Sequence, residues 1–149
     1  MKSVTTLLKE AFLEAAKKQY DHIELAVDLH GTLIDSSLYN KWDGTPEEKF
    51  AHSVYTEAIG PLVALSNHKS VKIFLFSGTR SYDILRIKRA LSSMYGIEVS
   101  MCGDNKTTIA GQDFSRKPYF SVLFDNKAGF DPKADWAEAE IAIKSLPVI

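Results

Sequence analysis

Three short stretches of the chain carry polar residues of a kind that does chemistry, each after an apolar run. Asp28-Leu29-His30-Gly31-Thr32-Leu33 follows Ile23 to Val27, Ser77-Gly78-Thr79-Arg80 follows Val71 to Phe76, and Asp125-Asn126 follows Tyr119 to Phe124 with Lys117 just ahead. In an open parallel sheet, ligands bind outside the carboxyl ends of the strands, so neighbouring strands would gather these groups on one rim. Two carboxylates and a backbone carbonyl suit a hard cation such as magnesium, which takes oxygen ligands and keeps several waters. The cation, Ser77, Lys117 and turn amides would neutralise a phosphoryl group. A carboxylate in line with phosphorus can act as a nucleophile and form an aspartyl phosphate. The set points to phosphoryl transfer through Asp28.

The elements that must position these groups are read from periodicity. Val4, Leu7, Leu8, Ala11, Phe12, Ala15 and Ala16 have the spacing of an amphipathic helix, and residues 1–21 form an N-terminal helical unit. Ile23–Val27 and Val71–Phe76 read as strands, Ile97–Met101 as a third and Tyr119–Phe124 as a fourth. Residues 34–45 read as irregular, and 104–116 as loop. Thr45-Pro46-Glu47-Glu48 starts a helix with a capping threonine, proline at the first position and acids in the first turn. That helix runs over 47–67 with a break expected near Gly60-Pro61. Residues 81–95 and Trp136–Leu146 read as further helices.

Strands separated by helices imply crossover connections and a mostly parallel sheet, and near-continuous apolar strands imply helices on both faces. The expectation is one α/β domain over 1–149, a Rossmann-like three-layer sandwich, with residues 34–60 as a short insert able to cover the site.

Composition narrows the function classes. The chain has 149 residues, 45% hydrophobic and 25% charged, with 18 Lys+Arg against 19 Asp+Glu. That is ordinary globular usage. A net charge of -1 argues against a binder of nucleic acid or anionic membrane driven by its overall field, and leaves a local basic groove open. The single cysteine, Cys102, forms no internal disulfide, no run nears the ~20 apolar residues of a membrane span, and charged residues interrupt the N-terminal helix. A cytoplasmic protein with no membrane association is expected.

Taken together, Asp28-Leu29-His30-Gly31-Thr32-Leu33, Phe74-Leu75-Phe76-Ser77-Gly78, Ser115-Arg116-Lys117 and Val122-Leu123-Phe124-Asp125-Asn126 resemble, in order, the four motifs of the haloacid dehalogenase-like phosphatases, and most closely the small capless members. The resemblance covers roughly residues 22–136. It implies Asp28 as nucleophile and metal ligand, His30 offering its backbone carbonyl to magnesium, and Asp125 as the second carboxylate, with Asn126 in the metal shell. Ser77 and Lys117 would hold phosphoryl oxygens, with Lys106 competing for the role of Lys117. Thr32, Gly78 and Arg80 are read beside these as candidate substrate contacts, with pairing to an acid as the alternative for Arg80.

The chain departs from the family pattern at two positions. His30 stands where the family has its general acid, an aspartate, and either takes over proton transfer or serves in a hydrogen-bonding or vestigial role. Asn126 stands where an acid is usual and removes one negative charge from the metal shell.

A short insert leaves an open site, which suits a large phosphorylated substrate; a polynucleotide 3′-phosphate is one candidate. The alternative is a weakened or inactive member that binds metal or phosphate as an interaction module, which His30 and Asn126 motivate. A receiver-type phosphoacceptor ranks lower, because its acidic pair follows the first strand rather than the last.

Overall fold

The computed structural model describes residues 2–77, 81–99, 101–104 and 120–149. In chain order they form α1 (Val4–Lys17), β1 (Ile23–Val27), α2 (Ser36–Lys41), α3 (Pro46–Ser53), α4 (Thr56–Asn67), β2 (Val71–Ser77), α5 (Ser81–Tyr95), β3 (Met101–Asp104), β4 (Val122–Phe124), a 3₁₀ turn (Asn126–Ala128) and α6 (Asp135–Ser145). The strands make one four-stranded parallel sheet in the order β3-β2-β1-β4.

That order has a consequence for function. From β1 the sheet grows through β2 and β3 on one side, and β4 then returns to the other. The order therefore reverses at the β1–β4 junction, and a crevice opens at the carboxyl ends of strands where such a reversal occurs. Val27 is in register with Leu75 on β2 and with Phe124 on β4, so Asp28 and Asp125 leave the sheet side by side.

Alternate strand residues supply the core. Ile23, Leu25, Val27, Ile73, Leu75, Val122 and Phe124 join one buried cluster with Leu8 and Phe12 of α1, Leu62 and Leu65 of α4, Ile84, Ile87 and Leu91 of α5, and Trp136 of α6. Each such aliphatic or aromatic side chain contributes about 1.5–3 kcal/mol on burial. Ala26 and Phe74 point the other way by the strand alternation; both are buried, outside that cluster.

Helix starts follow local chemistry. Ser3, Asp35 and Thr45 accept backbone N–H groups at the starts of α1, α2 and α3, and Pro46 takes the first position of α3. Charge pairing fixes the insert from outside: the Arg86 guanidinium of α5 grips the Glu47 carboxylate of α3 through two nitrogens and holds its pKa below the usual carboxylate value.

The elements differ from the periodicity reading in four places. Residues 34–45 are not all irregular, because α2 forms there on the Asp35 cap. The helix expected over 47–67 breaks at Val54–Tyr55, not at Gly60-Pro61. Ile34 makes an antiparallel bridge to Val54, and the Tyr55 amide donates to the Leu33 carbonyl at 2.9 Å, which pulls two residues without breaker chemistry into extended conformation. Pro61 sits inside α4 and forgoes one helical hydrogen bond. Third, β3 starts at Met101 rather than Ile97; Ile97 and Val99 are buried without entering the ladder. Fourth, the described part of β4 begins at Val122, with Phe120 and Ser121 leading into it.

Candidate active site at the β1–β4 switch point

The site begins where β1 ends. The Asp28 amide donates to the Phe124 carbonyl at 2.9 Å, extending the ladder by one bond and fixing the Asp28 backbone against β4. The chain then folds into one tight turn: the amides of Leu33 and Ile34 both donate to the Leu29 carbonyl at 2.9 Å, and Gly31 donates to the Ile34 carbonyl at 2.8 Å. Gly31 has φ +86°, a left-handed conformation that glycine adopts without penalty. A side chain here would also collide with Asn126, since a Cβ would stand 2.7 Å from its Cγ.

Gly31→Ala is therefore expected to destabilise the fold by about 1–3 kcal/mol through the left-handed backbone alone and to displace the Asn126 amide besides. Chemical denaturation reads the first effect. An unchanged Asn126 side-chain amide resonance in the variant would sink the second.

Thr32 ties the two halves of the site together. It is fully buried. Its hydroxyl accepts the Asn126 amide at 2.9 Å and faces the Asn126 Oδ1 at 3.5 Å, while its carbonyl accepts the indole N–H of Trp136 at 2.9 Å. Trp136 is itself fully buried, edge-on to Phe124 and Phe130, whose rings stack with centroids 4.6 Å apart. The structure thus places the buried Thr32 hydroxyl on the turn after β4, where it braces the rim.

The two carboxylates meet. Asp28 and Asp125 each follow one of the register-paired residues Val27 and Phe124, and the Asp28 carboxyl is pushed up to about 6. Burial is the largest cause and repulsion by Asp125 the next; the Leu29 amide and the Lys127 ammonium act in the opposite sense. Asp125 is held from behind: its carboxylate accepts the Lys127 amide at 2.9 Å, and its carbonyl accepts Ala128 and Phe130.

His30 sits across the turn. Its Nδ1 lies 3.3 Å from the Ser36 hydroxyl, and its ring meets Tyr39 edge-on at 5.1 Å. Burial lowers its pKa below the ordinary histidine value. Tyr39 is covered in turn by the Lys49 ammonium, 5.2 Å from the ring centroid. The insert therefore touches the site through α2. Among the described residues nothing donates a hydrogen bond to the His30 carbonyl.

Asp28, His30, Thr32, Asp125 and Asn126 are brought together at one switch point. Ser77 closes β2, one strand over, with its backbone in register with Asp104. Gly78, Arg80, Lys117 and its competitor Lys106 lie outside the described residues. Ser36, Tyr39 and Lys127 join the site without having been singled out in the sequence. Ser36 and Tyr39 fall in a stretch that reads as irregular. Lys127 had a signal, being two residues beyond the second carboxylate in the same turn.

Among the described residues no group of three or more His, Cys, Asp or Glu clusters as a metal site. Among the described residues the oxygen donors at the rim include the Asp28 and Asp125 carboxylates and the His30 carbonyl. Comparison with family models, curated proteins and solved structures found no match. The class that the fold and site define is thus a parallel-sheet α/β protein with a carboxylate pair at its strand-order reversal. Among the described residues no helix is long and apolar enough to cross a membrane.

Proposed function

We propose that this chain is a magnesium-dependent phosphatase with a haloacid dehalogenase-like, three-layer fold, acting through an aspartyl phosphate on Asp28. One observation carries the reading: Asp28 and Asp125 converge at the ends of adjacent parallel strands, close enough for Asp125 to raise the cost of ionising Asp28. Such a pair is costly without a cation and suited to one.

Asp28 and Asp125 would hold magnesium through carboxylate oxygens, with the His30 carbonyl as a third oxygen donor. The ion supplies charge neutralisation for the carboxylates and the phosphoryl oxygens. The Asp28 carboxylate attacks phosphorus, the bond to the leaving oxygen breaks, and that oxygen takes a proton from His30. Water then hydrolyses the aspartyl phosphate, with His30 accepting its proton. Ser36 and Tyr39 fix the imidazole for both transfers. Ser77 and Lys117 are proposed to hold phosphoryl oxygens. The carboxylates are reached without a folded cap domain between β1 and β2, which suits a large phosphorylated substrate such as a nucleic-acid end, acted on in the cytoplasm.

The acid role of His30 makes a pH prediction. Burial lowers the pKa, and a nearby cation moves it the same way, so the protonated acid is fully present only below a value that itself lies under 6.5. Turnover of alkyl phosphates is expected to fall as pH rises through that value. Turnover of an activated aryl phosphate, whose leaving group needs no proton, should fall little. His30→Ala should reproduce the same split at low pH. Equal losses on both substrate classes would remove His30 from proton transfer.

A second reading, a metal- or phosphate-binding module without turnover, draws on Asn126, whose side chain is packed on Gly31 and Thr32 where the family usually has an acid. A screen with magnesium over sugar phosphates, nucleotides and 3′-phosphorylated oligonucleotides decides between them. Turnover that is lost with chelator supports the phosphatase; saturable phosphate binding with no turnover supports the module.

A further inference from the structure

We infer that Lys127 is a substrate contact of this site, its ammonium holding an oxygen of the phosphate bound at Asp28; this rests on the phosphoryl-transfer reading above. The backbone fixes the position. The Lys127 amide donates to the Asp125 carboxylate at 2.9 Å, so the Lys127 Cα is anchored against one member of the carboxylate pair. The turn is locked on both sides: the Asp125 carbonyl accepts Ala128 and Phe130, and Thr32 accepts Asn126.

From that anchor a flexible four-carbon stem carries the charge. The side chain is exposed, and among the described residues it forms no ion pair, although Asp28, Asp125 and Asp131 are all nearby in space or sequence. A committed structural lysine would be spent on one of these acids. Among the described residues this one forms an ion pair with none of them, while its charge still reaches Asp28. A compact ammonium that is anchored by its backbone, solvated at its tip and close to a carboxylate nucleophile is well placed to contact a phosphoryl oxygen as a point charge. It would also offset the repulsion that two carboxylates exert on an approaching dianion.

The test uses the full chain with magnesium, para-nitrophenyl phosphate as substrate and inorganic phosphate as a binding probe followed by calorimetry. In Lys127→Met, kcat/KM is expected to fall about tenfold, chiefly through KM, and phosphate affinity to fall by a similar factor. Lys127→Arg should recover most of both. Because the residue is exposed, the thermal midpoint of Lys127→Met should match wild type.

Phosphate affinity within twofold of wild type in Lys127→Met overturns the assignment while leaving the phosphatase reading intact. A loss confined to kcat, with KM and phosphate affinity unchanged, also overturns it. Phosphate binding that depends on Lys127 in a wild-type protein without turnover upholds the contact and sinks the phosphatase. Neither binding nor turnover in wild type overturns both.

Discussion

Asp28→Asn is expected to lower phosphatase turnover by about 10³-fold or more while making the metal-free protein more heat-stable at pH 7.5. The two effects share one cause. The amide has nearly the carboxylate's shape but is a poor nucleophile and a weak ligand for a hard cation. It also carries no charge into a half-buried position beside Asp125.

The sign of the stability change follows from proton binding. Asp28 titrates near 3.8 in an unfolded chain and near 6 in the folded one, so between these values the native state holds a proton that the unfolded state has lost. Stability contributed by this group therefore falls as pH rises from about 4 to about 6, and stays low above that. The substitution removes the penalty. Its thermal midpoint should exceed wild type by about 3 °C at pH 7.5, with the gap closing near pH 4. Magnesium should narrow the gap at pH 7.5 by stabilising wild type alone. Turnover near wild type, or a variant less stable than wild type at pH 7.5 in chelator, would remove Asp28 from the role given to it.

Trp136→Ala should produce the largest loss of stability in the molecule, about 3–5 kcal/mol for a buried tryptophan. Against a total of about 5–15 kcal/mol, that brings the fold close to its limit. Trp136→Phe separates packing from hydrogen bonding. It keeps an aromatic against Phe124 and Phe130 and leaves the Thr32 carbonyl without its donor, at about 1–3 kcal/mol. Because that carbonyl belongs to the turn that carries His30, Trp136→Phe should also lower kcat although the residue touches no substrate. Urea denaturation and steady-state kinetics on the same preparation check both. A Phe variant as stable as wild type would mean that the indole hydrogen bond contributes nothing.

The parts of the fold visible in the sequence were those written in periodicity and end chemistry. The runs Ile23–Val27 and Val71–Phe76 alternate into one core, and Thr45-Pro46 starts a helix as its residue types require. The carboxylate pair was legible for the same reason: an acid after each of two apolar runs has little choice but to emerge at a strand end. What was not legible depended on partners far along the chain. No residue at Val54–Tyr55 forbids a helix; the break comes from Ile34 and Leu33, twenty residues earlier. Six polar-rich residues are too few for a periodic signal, so α2 went unread and its Asp35 cap showed only in the structure. With it went Ser36 and Tyr39, the two residues that hold His30. Thr32 illustrates a subtler limit. A threonine in a polar turn reads as solvent-facing and substrate-facing, and only the turn after β4 shows that its hydroxyl is already engaged.

The central position of β1 also sets when the site can exist during synthesis. Both bonds that close the rim span most of the chain: Asn126 to Thr32 across 94 residues and Trp136 to Thr32 across 104. A nascent chain emerging residue by residue can pair β1 with β2 early, yet Asp28 then ends a half-sheet with no second carboxylate. Contacts of such long sequence separation form late and slowly. Asp28 therefore waits without its partner carboxylate until β4 docks and α6 seals the turn. The carboxylate pair is completed only as β4 and α6 add Val122, Phe124, Trp136 and Ile143 to the core.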